Sequence, residues 1–103
     1  LRMMYENIEF PLSLGKLAEH AGISRRQLER QFKLLLGEAP AETYRNIRLD
    51  RGRTLLMETD LSVMDVSVAA GFNSGSVFSR HFKERYGETP FGHRGRNKSN
   101  GAP

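Results

Sequence analysis

The chain has no cysteine anywhere in its 103 residues. That excludes a disulfide scaffold and thiolate-bound metal, and it fits a reducing cytoplasm. No apolar run approaches the roughly 20 residues of a membrane-spanning helix, and no signal peptide is visible. His20, His81 and His93 are scattered, with no carboxylate or second histidine at ligand spacing, so they read as surface or packing residues rather than metal ligands. No nucleophile sits beside a base, no glycine-rich loop is built to cradle phosphate, and no acids are paired for proton transfer. Enzyme chemistry, metal and cofactor are therefore not expected. A start methionine is also lacking. The chain opens on Leu1, which reads as a fragment, with a partner domain expected upstream.

What is present suits one compact domain, or two very small ones sharing a helix. The sequence is 38% hydrophobic and 27% charged, enough for a modest core. Sixteen Lys and Arg against twelve Asp and Glu give a net charge of +4, which admits a polyanionic partner without identifying it.

An internal repeat organises the chain. Gly37-Glu38-Ala39-Pro40 returns fifty residues later as Gly87-Glu88-Thr89-Pro90. Phe32-Lys33 and Phe82-Lys83, Arg30 and Arg80, Ser24 and Ser74, and Leu28 and Phe78 keep the same offset. Ala21-Gly22 pairs with Ala70-Gly71 one residue out of step, so the second copy carries one extra residue in its turn.

Each copy reads as a short helix, a tight turn and a longer helix. In the first, Ser13 is an N-cap candidate, and Leu14, Leu17, Ala18 and Ala21 share one helical face. Gly22 supplies the turn, with Ile23 behind it. Ser24-Arg25-Arg26-Gln27 is a capping-box pattern that opens the next helix, whose inner stripe is Leu28, Phe32 and Leu35. In the second copy, Ser62-Val63-Met64-Asp65 repeats the capping-box pattern, Val63, Val66 and Ala70 face inward, Gly71 turns and Phe72 plugs. Ser74 then opens a helix with Phe78, Phe82 and Tyr86 inside.

Between the copies, Pro40 suits a first helical position, and Tyr44, Ile47, Leu55 and Leu56 recur at helical spacing. This predicts one linker helix over residues 40–59. Gly52 in its interior costs about 1 kcal/mol against alanine and marks a weak point or a close contact. Residues 1–7 read as a further helix, and Thr89-Pro90 starts a short last one. The expected organisation is an all-α domain over 1–96, of about seven helices. Its first helix-turn-helix unit covers 8–38 and its second 61–94. The polar tail 97–103 is expected to be disordered.

The outer faces of the two longer helices carry the chemistry. Arg26, Glu29, Arg30 and Lys33 lie opposite Leu28 and Phe32. Ser76, Ser79, Arg80 and Lys83 repeat that geometry. Any solvated amphipathic helix shows such a stripe, and Glu29 and Lys33 are spaced for a routine surface pair. Recurrence, each time after a short helix and a glycine turn, favours a DNA-reading surface. The second helix of such a unit enters the major groove with its N-terminal residues nearest the bases. Arginine can bond both acceptors of guanine, glutamate can accept from cytosine, and serine serves either way. Arg26, Glu29, Arg30, Ser76 and Arg80 are thus base-reading candidates. Lys33 and Lys83 are placed for phosphate, and Ser24 and Ser74, with the helix-start N–H groups, for phosphate and orientation. On the linker, Arg45, Arg48, Arg51 and Arg53 among Glu42, Asp50 and Glu58 read as a mixed-charge solvated face.

The stretch Leu61-Ser62-Val63, Val66, Ala70-Gly71-Phe72, Ser74, Ser76, Phe78-Ser79-Arg80, Phe82-Lys83, Gly87, Pro90 and Arg94 resembles the signature region of AraC/XylS transcription regulators. Leu17-Ala18, Ala21 through Arg30, Arg48-Leu49, Arg53 and Leu55-Leu56 extend the resemblance over about residues 8–94. It implies a DNA-binding domain whose two reading helices enter successive major grooves about 34 Å apart, with the linker setting that separation and the DNA bending to meet it. The family's base-contacting positions fall on Arg26, Glu29 and Arg30, and on Gly75, Ser76, Ser79 and Arg80. The resemblance further implies transcription activation through RNA polymerase, in the cytoplasm at the nucleoid. A small-molecule effector would bind a separate upstream domain. The run Ser24 to Arg30 looks most like the branch whose sensor resembles a glutamine-amidotransferase or DJ-1 domain. Three departures stand out. Gly75 lacks the polar side chain common there, Gly52 replaces a small helix former, and His93 stands where an aromatic often precedes Arg94. The rivals are a protein-interaction module, which predicts an exposed apolar patch and weak salt dependence, and the DNA-directing part of a repair enzyme, which needs a cysteine outside this chain.

Overall fold

A computed structural model of the chain describes the backbone of residues 1–101 and the side chains of residues 1–95. Among the described residues there are seven helices and no strand. They are α1 Arg2–Glu6, α2 Leu14–Ala21, α3 Arg25–Leu36, α4 Pro40–Glu58, α5 Val63–Ala69, α6 Gly75–Tyr86 and α7 Pro90–Gly101.

Short polar side chains fix where the helices begin. Ser13 accepts from the Lys16 N–H, and Ser74 from the Val77 N–H. Ser24 and Gln27 form a complete reciprocal capping box. At Ser62 the bond from the Asp65 N–H is present without the return bond, aspartate being one methylene shorter than glutamine. Each such cap stabilises its helix by about 1 kcal/mol. The two helix-turn-helix corners fall at Gly22 and Gly71, with φ of +71° and +83°, a region that side chains with a Cβ resist. Gly71 is needed for space as well. A Cβ there would lie 2.1 Å from the Ile8 carbonyl oxygen and 2.9 Å from Pro11 Cγ, because the segment leading into α2 crosses the second unit's turn. Tyr44 holds that segment from the other side. Its hydroxyl accepts from the Leu12 N–H at 3.0 Å and donates to the Asn7 carbonyl.

The core is in two parts. Met4, Leu17, Ala18, Leu28, Tyr44 and Ile47 form one; Leu49, Leu56, Val66, Ala70, Phe72, Phe78 and Phe82 form the other. The linker helix α4 belongs to both. Its first half completes the first unit and its second half the second, which gives an elongated body of 51 × 24 × 23 Å.

Three expectations are corrected. Leu35 is 80% exposed rather than buried, as is its neighbour Leu34 at 77%. Helical phase sets which way a side chain points, and does not guarantee that a neighbouring helix reaches that far along the axis. The last turn of α3 runs past its partners, and Ala21 at the end of α2 is exposed for the same reason. The tail expected to be disordered from Asn97 is helical to Gly101. Once the docked first turns of α7 have formed its nucleus, propagation costs little, and no proline intervenes before Pro103. The rest of that tail, residues 102–103, lies outside the described residues. Two histidines do meet carboxylates: His81 Nδ1 is 3.3 Å from Glu84, and the buried His93 Nδ1 is 2.7 Å from Glu88. Neither pair extends to the three ligands a metal needs, and no such group occurs among the described residues. No described helix is long and apolar enough to cross a membrane.

Candidate nucleic-acid interface

Burial of Leu28 and Phe32 turns the opposite face of α3 outward. Arg26, Glu29, Arg30 and Lys33 are all exposed. Neither Arg26 nor Arg30 has an ion-pair partner among the described residues. The routine Glu29–Lys33 pair is not formed. Lys33 Nζ instead donates to the Gly37 carbonyl at 3.3 Å, at the carbonyl end of its own helix. On α6, Phe78 and Phe82 are fully buried, and Ser76, Arg80 and Lys83 are exposed, with Gly75 and Ser79 half-buried beside them. Arg80 and Lys83 likewise have no ion-pair partner among the described residues.

Ser24 and Ser74 differ in what they have left to give. Each oxygen accepts its capping bond, but the Ser24 hydroxyl also donates to Gln27 Oε1 at 3.3 Å. Among the described residues the Ser74 hydroxyl proton has no such use, which leaves it free to donate outward.

Other arginines are consumed in holding α6 and the second unit in place. Arg85 donates twice to Asp50, at 3.1 and 3.2 Å, and Tyr86 donates to the same carboxylate. The Asp50 bond raises the Arg85 pKa. Partial burial first, and the Asp50 bond second, push the Tyr86 phenol up to about 12. Arg53 lies over the Tyr86 ring at 4.9 Å. Arg94 donates to the carbonyls of Leu56, Thr59 and Leu61, covering the end of α4. Cations belong at that end of a helix. His93, in the place of an aromatic, packs edge-on against Phe82 at 5.6 Å.

Arg48 ties the linker to the second unit's turn. It donates to the Gly71 carbonyl at 2.7 Å, and its guanidinium sits 4.5 Å from the Phe72 ring centre. Burial pulls its pKa down, and its buried Nε has no hydrogen-bond partner among the described residues. Arg48 is therefore a structural cation rather than part of a solvated face, whereas Arg53 stays exposed with its guanidinium over the Tyr86 ring. Sequence reading missed Arg48, Asp50, Arg85 and Arg94 as organising residues. Their partners lie 23 to 38 residues away, beyond any local pattern.

Two capped helix-turn-helix units, each presenting an unpaired cationic and polar face and sharing one linker helix, define a tandem DNA-binding domain. Residues 17–96 match the family described as a helix-turn-helix domain. The chain is 46% identical over 87 residues to the HTH-type transcriptional regulator CdhR of Pseudomonas aeruginosa, covering 84% of this chain and 26% of that protein. To ArgR of the same organism it is 42% identical over 88 residues, covering 85% and 27%. Among solved structures it superposes with a TM-score of 0.89 on a transcriptional regulator with an AraC-type DNA-binding domain from Chromobacterium violaceum, at 42% identity, covering 92% of this chain and 85% of that one. It superposes at 0.90 on the DNA-binding domain of AdpA in complex with a target DNA, at 29% identity, covering 94% and 87%. The chain belongs to the AraC family of helix-turn-helix transcription regulators and is a DNA-binding domain of that type. It spans about a quarter of the length of these curated relatives.

Proposed function

We propose that this domain binds a specific operator with α3 and α6 in two successive major grooves, as the DNA-reading end of a cytoplasmic transcription activator. In this reading Arg26, Glu29 and Arg30 from α3, and Ser76, Ser79 and Arg80 from α6, face base edges, with Gly75 at the helix start. Lys33, Lys83, Ser74 and Ser24 sit against the phosphates and fix register. RNA polymerase would be the second partner. A small-molecule effector would act through a sensor domain outside this chain, of the glutamine-amidotransferase-like kind suggested by the run Ser24 to Arg30.

The observation that carries the reading is the recurrence of one outward face on both second helices. Arg26, Arg30 and Lys33 on α3, and Arg80 and Lys83 on α6, stand exposed opposite the buried stripes, and the three arginines have no ion-pair partner among the described residues, whereas Arg48, Arg85 and Arg94 bond within the fold.

Selection of bound sequences from a random duplex library, at two salt concentrations, tests it. Two short enriched blocks one helical turn apart, with affinity falling steeply as salt rises, are the expected result. Salt-sensitive binding without an enriched motif would reduce the site to generic basic attraction, and the absence of binding would move the function to protein contact.

A further inference from the structure

Gly75 opens α6 without a side chain at the position nearest the bases, yet the space above it is not empty. Met64, the second residue of α5, lies across it. The Met64 Cε and Sδ are 3.5 and 3.8 Å from where a Cβ on Gly75 would stand. Met64 is 58% exposed, so its thioether end is presented to the outside at the start of the reading helix. Its backbone is pinned from beneath. The fully buried Ser67 donates its hydroxyl to the Met64 carbonyl at 2.7 Å, and Met64 Sδ lies 3.9 Å from the Ser67 hydroxyl oxygen.

We propose that Met64 is a specificity-determining residue, reading a thymine 5-methyl group in the major groove in place of the side chain that Gly75 lacks. The inference rests on the operator-binding reading above. A thioether has no strong donor or acceptor, so it cannot discriminate by hydrogen bonding to guanine, cytosine or adenine edges. It is apolar, unbranched and polarizable, and it adapts to a methyl group. The thymine methyl is the one apolar feature that distinguishes a base in the major groove. A Cβ at 75 would meet the Met64 thioether at ordinary van der Waals distance, so only a side chain longer than that of alanine would compete with Met64 for this space.

The test uses the selected operator and a chemical change confined to the ligand. Each thymine in the block contacted by α6 is replaced in turn by uracil, which removes only the methyl. Binding is titrated by fluorescence anisotropy for the unaltered protein, Met64→Ala and Met64→Leu. One replacement is expected to weaken the unaltered protein about three- to fivefold, the factor that burying one methyl group corresponds to. Met64→Ala should weaken binding to the thymine duplex by a similar factor or more and be indifferent to that same replacement, so that the two losses do not add. Met64→Leu should restore most of the sensitivity. Uracil penalties that are identical in the unaltered protein and in Met64→Ala would overturn the proposal, as would a selected block without an enriched thymine. A failed operator reading looks different, because no block of any sequence would then be enriched. Met64 is exposed, and helical circular dichroism of each variant checks that the fold is retained.

Discussion

Gly52 shows how a single hydrogen in place of a methyl group can set how closely two helices pack. Built onto the backbone of α4, a Cβ at this position would stand 2.7 and 2.8 Å from Cε1 and Cζ of Phe78, a ring that is itself fully buried. Alanine is the better helix former by about 1 kcal/mol, which argues for Gly52→Ala as a stabilising change. Overpacking costs about 1–3 kcal/mol, and it wins here because the ring has tilted aromatic neighbours on both sides, Phe72 at 5.2 Å and Phe82 at 5.5 Å. Gly52→Ala is therefore expected to lower the urea midpoint, by a net loss of up to about 2 kcal/mol. The loss should shrink when Phe78→Leu is combined with it, since the two changes share one space. A midpoint that stays put or rises would mean that the helices part at no cost. The sequence already marked Gly52 as a weak point or a close contact. Choosing between them needed the position of a ring 26 residues further on, which no periodicity supplies.

Individual helices were legible to the extent that their causes are local. The caps at Ser13, Ser24, Ser62 and Ser74 and the glycine corners at Gly22 and Gly71 are written in neighbouring residues, and they stand where the sequence put them. Leu35 failed because burial needs a neighbour as well as a phase. How an element is held depends on distant partners. α6 is fixed to α4 by Asp50, which receives Arg85 and Tyr86 together, with Arg53 over the Tyr86 ring. This makes the docking of α6 sensitive to alkali. The Tyr86 phenol, ordinarily near 10, is held in its protonated form up to about 12 in the folded chain. Above pH 10 the unfolded chain loses that proton first, so the folded state loses stability between pH 10 and 12 and keeps the full contribution below pH 10. Tyr86→Phe should cost roughly 0.5–1.5 kcal/mol at neutral pH, through the lost bond to Asp50. Its stability should then decline less steeply than that of the unaltered protein from pH 10 to 12. Urea midpoints measured at pH 8, 10, 11 and 12 separate the two curves. Parallel curves would show that Tyr86 does not titrate as part of the docked helix.

At the scale of the whole molecule, the governing fact is that one helix finishes two cores. Tyr44 and Ile47 belong to the first unit, Leu49 and Leu56 to the second, and two arginines bond the linker to the second unit, Arg48 from its middle and Arg94 at its C-terminal end. The segment from Asn7 to Leu12 adds a further tie, from Tyr44 to the turn at Gly71. Two units joined in this way cannot adjust their separation as two beads on a flexible linker would. The 19 residues of α4 span about 28 Å as one continuous helix, which fixes the separation of the two units. The operator should therefore tolerate no change in the spacing of its two blocks. Five inserted base pairs place the second groove on the opposite face, and affinity is expected to fall by about 10²–10⁴-fold, the loss that follows when two linked sites cannot be engaged together. Ten inserted base pairs restore the face but put the groove a further helical turn away, and affinity should stay at the single-block level. Titrating the three duplexes side by side decides the matter. Recovery at ten base pairs would require the two units to swing apart, which the shared linker core and the Arg48 and Arg94 ties oppose.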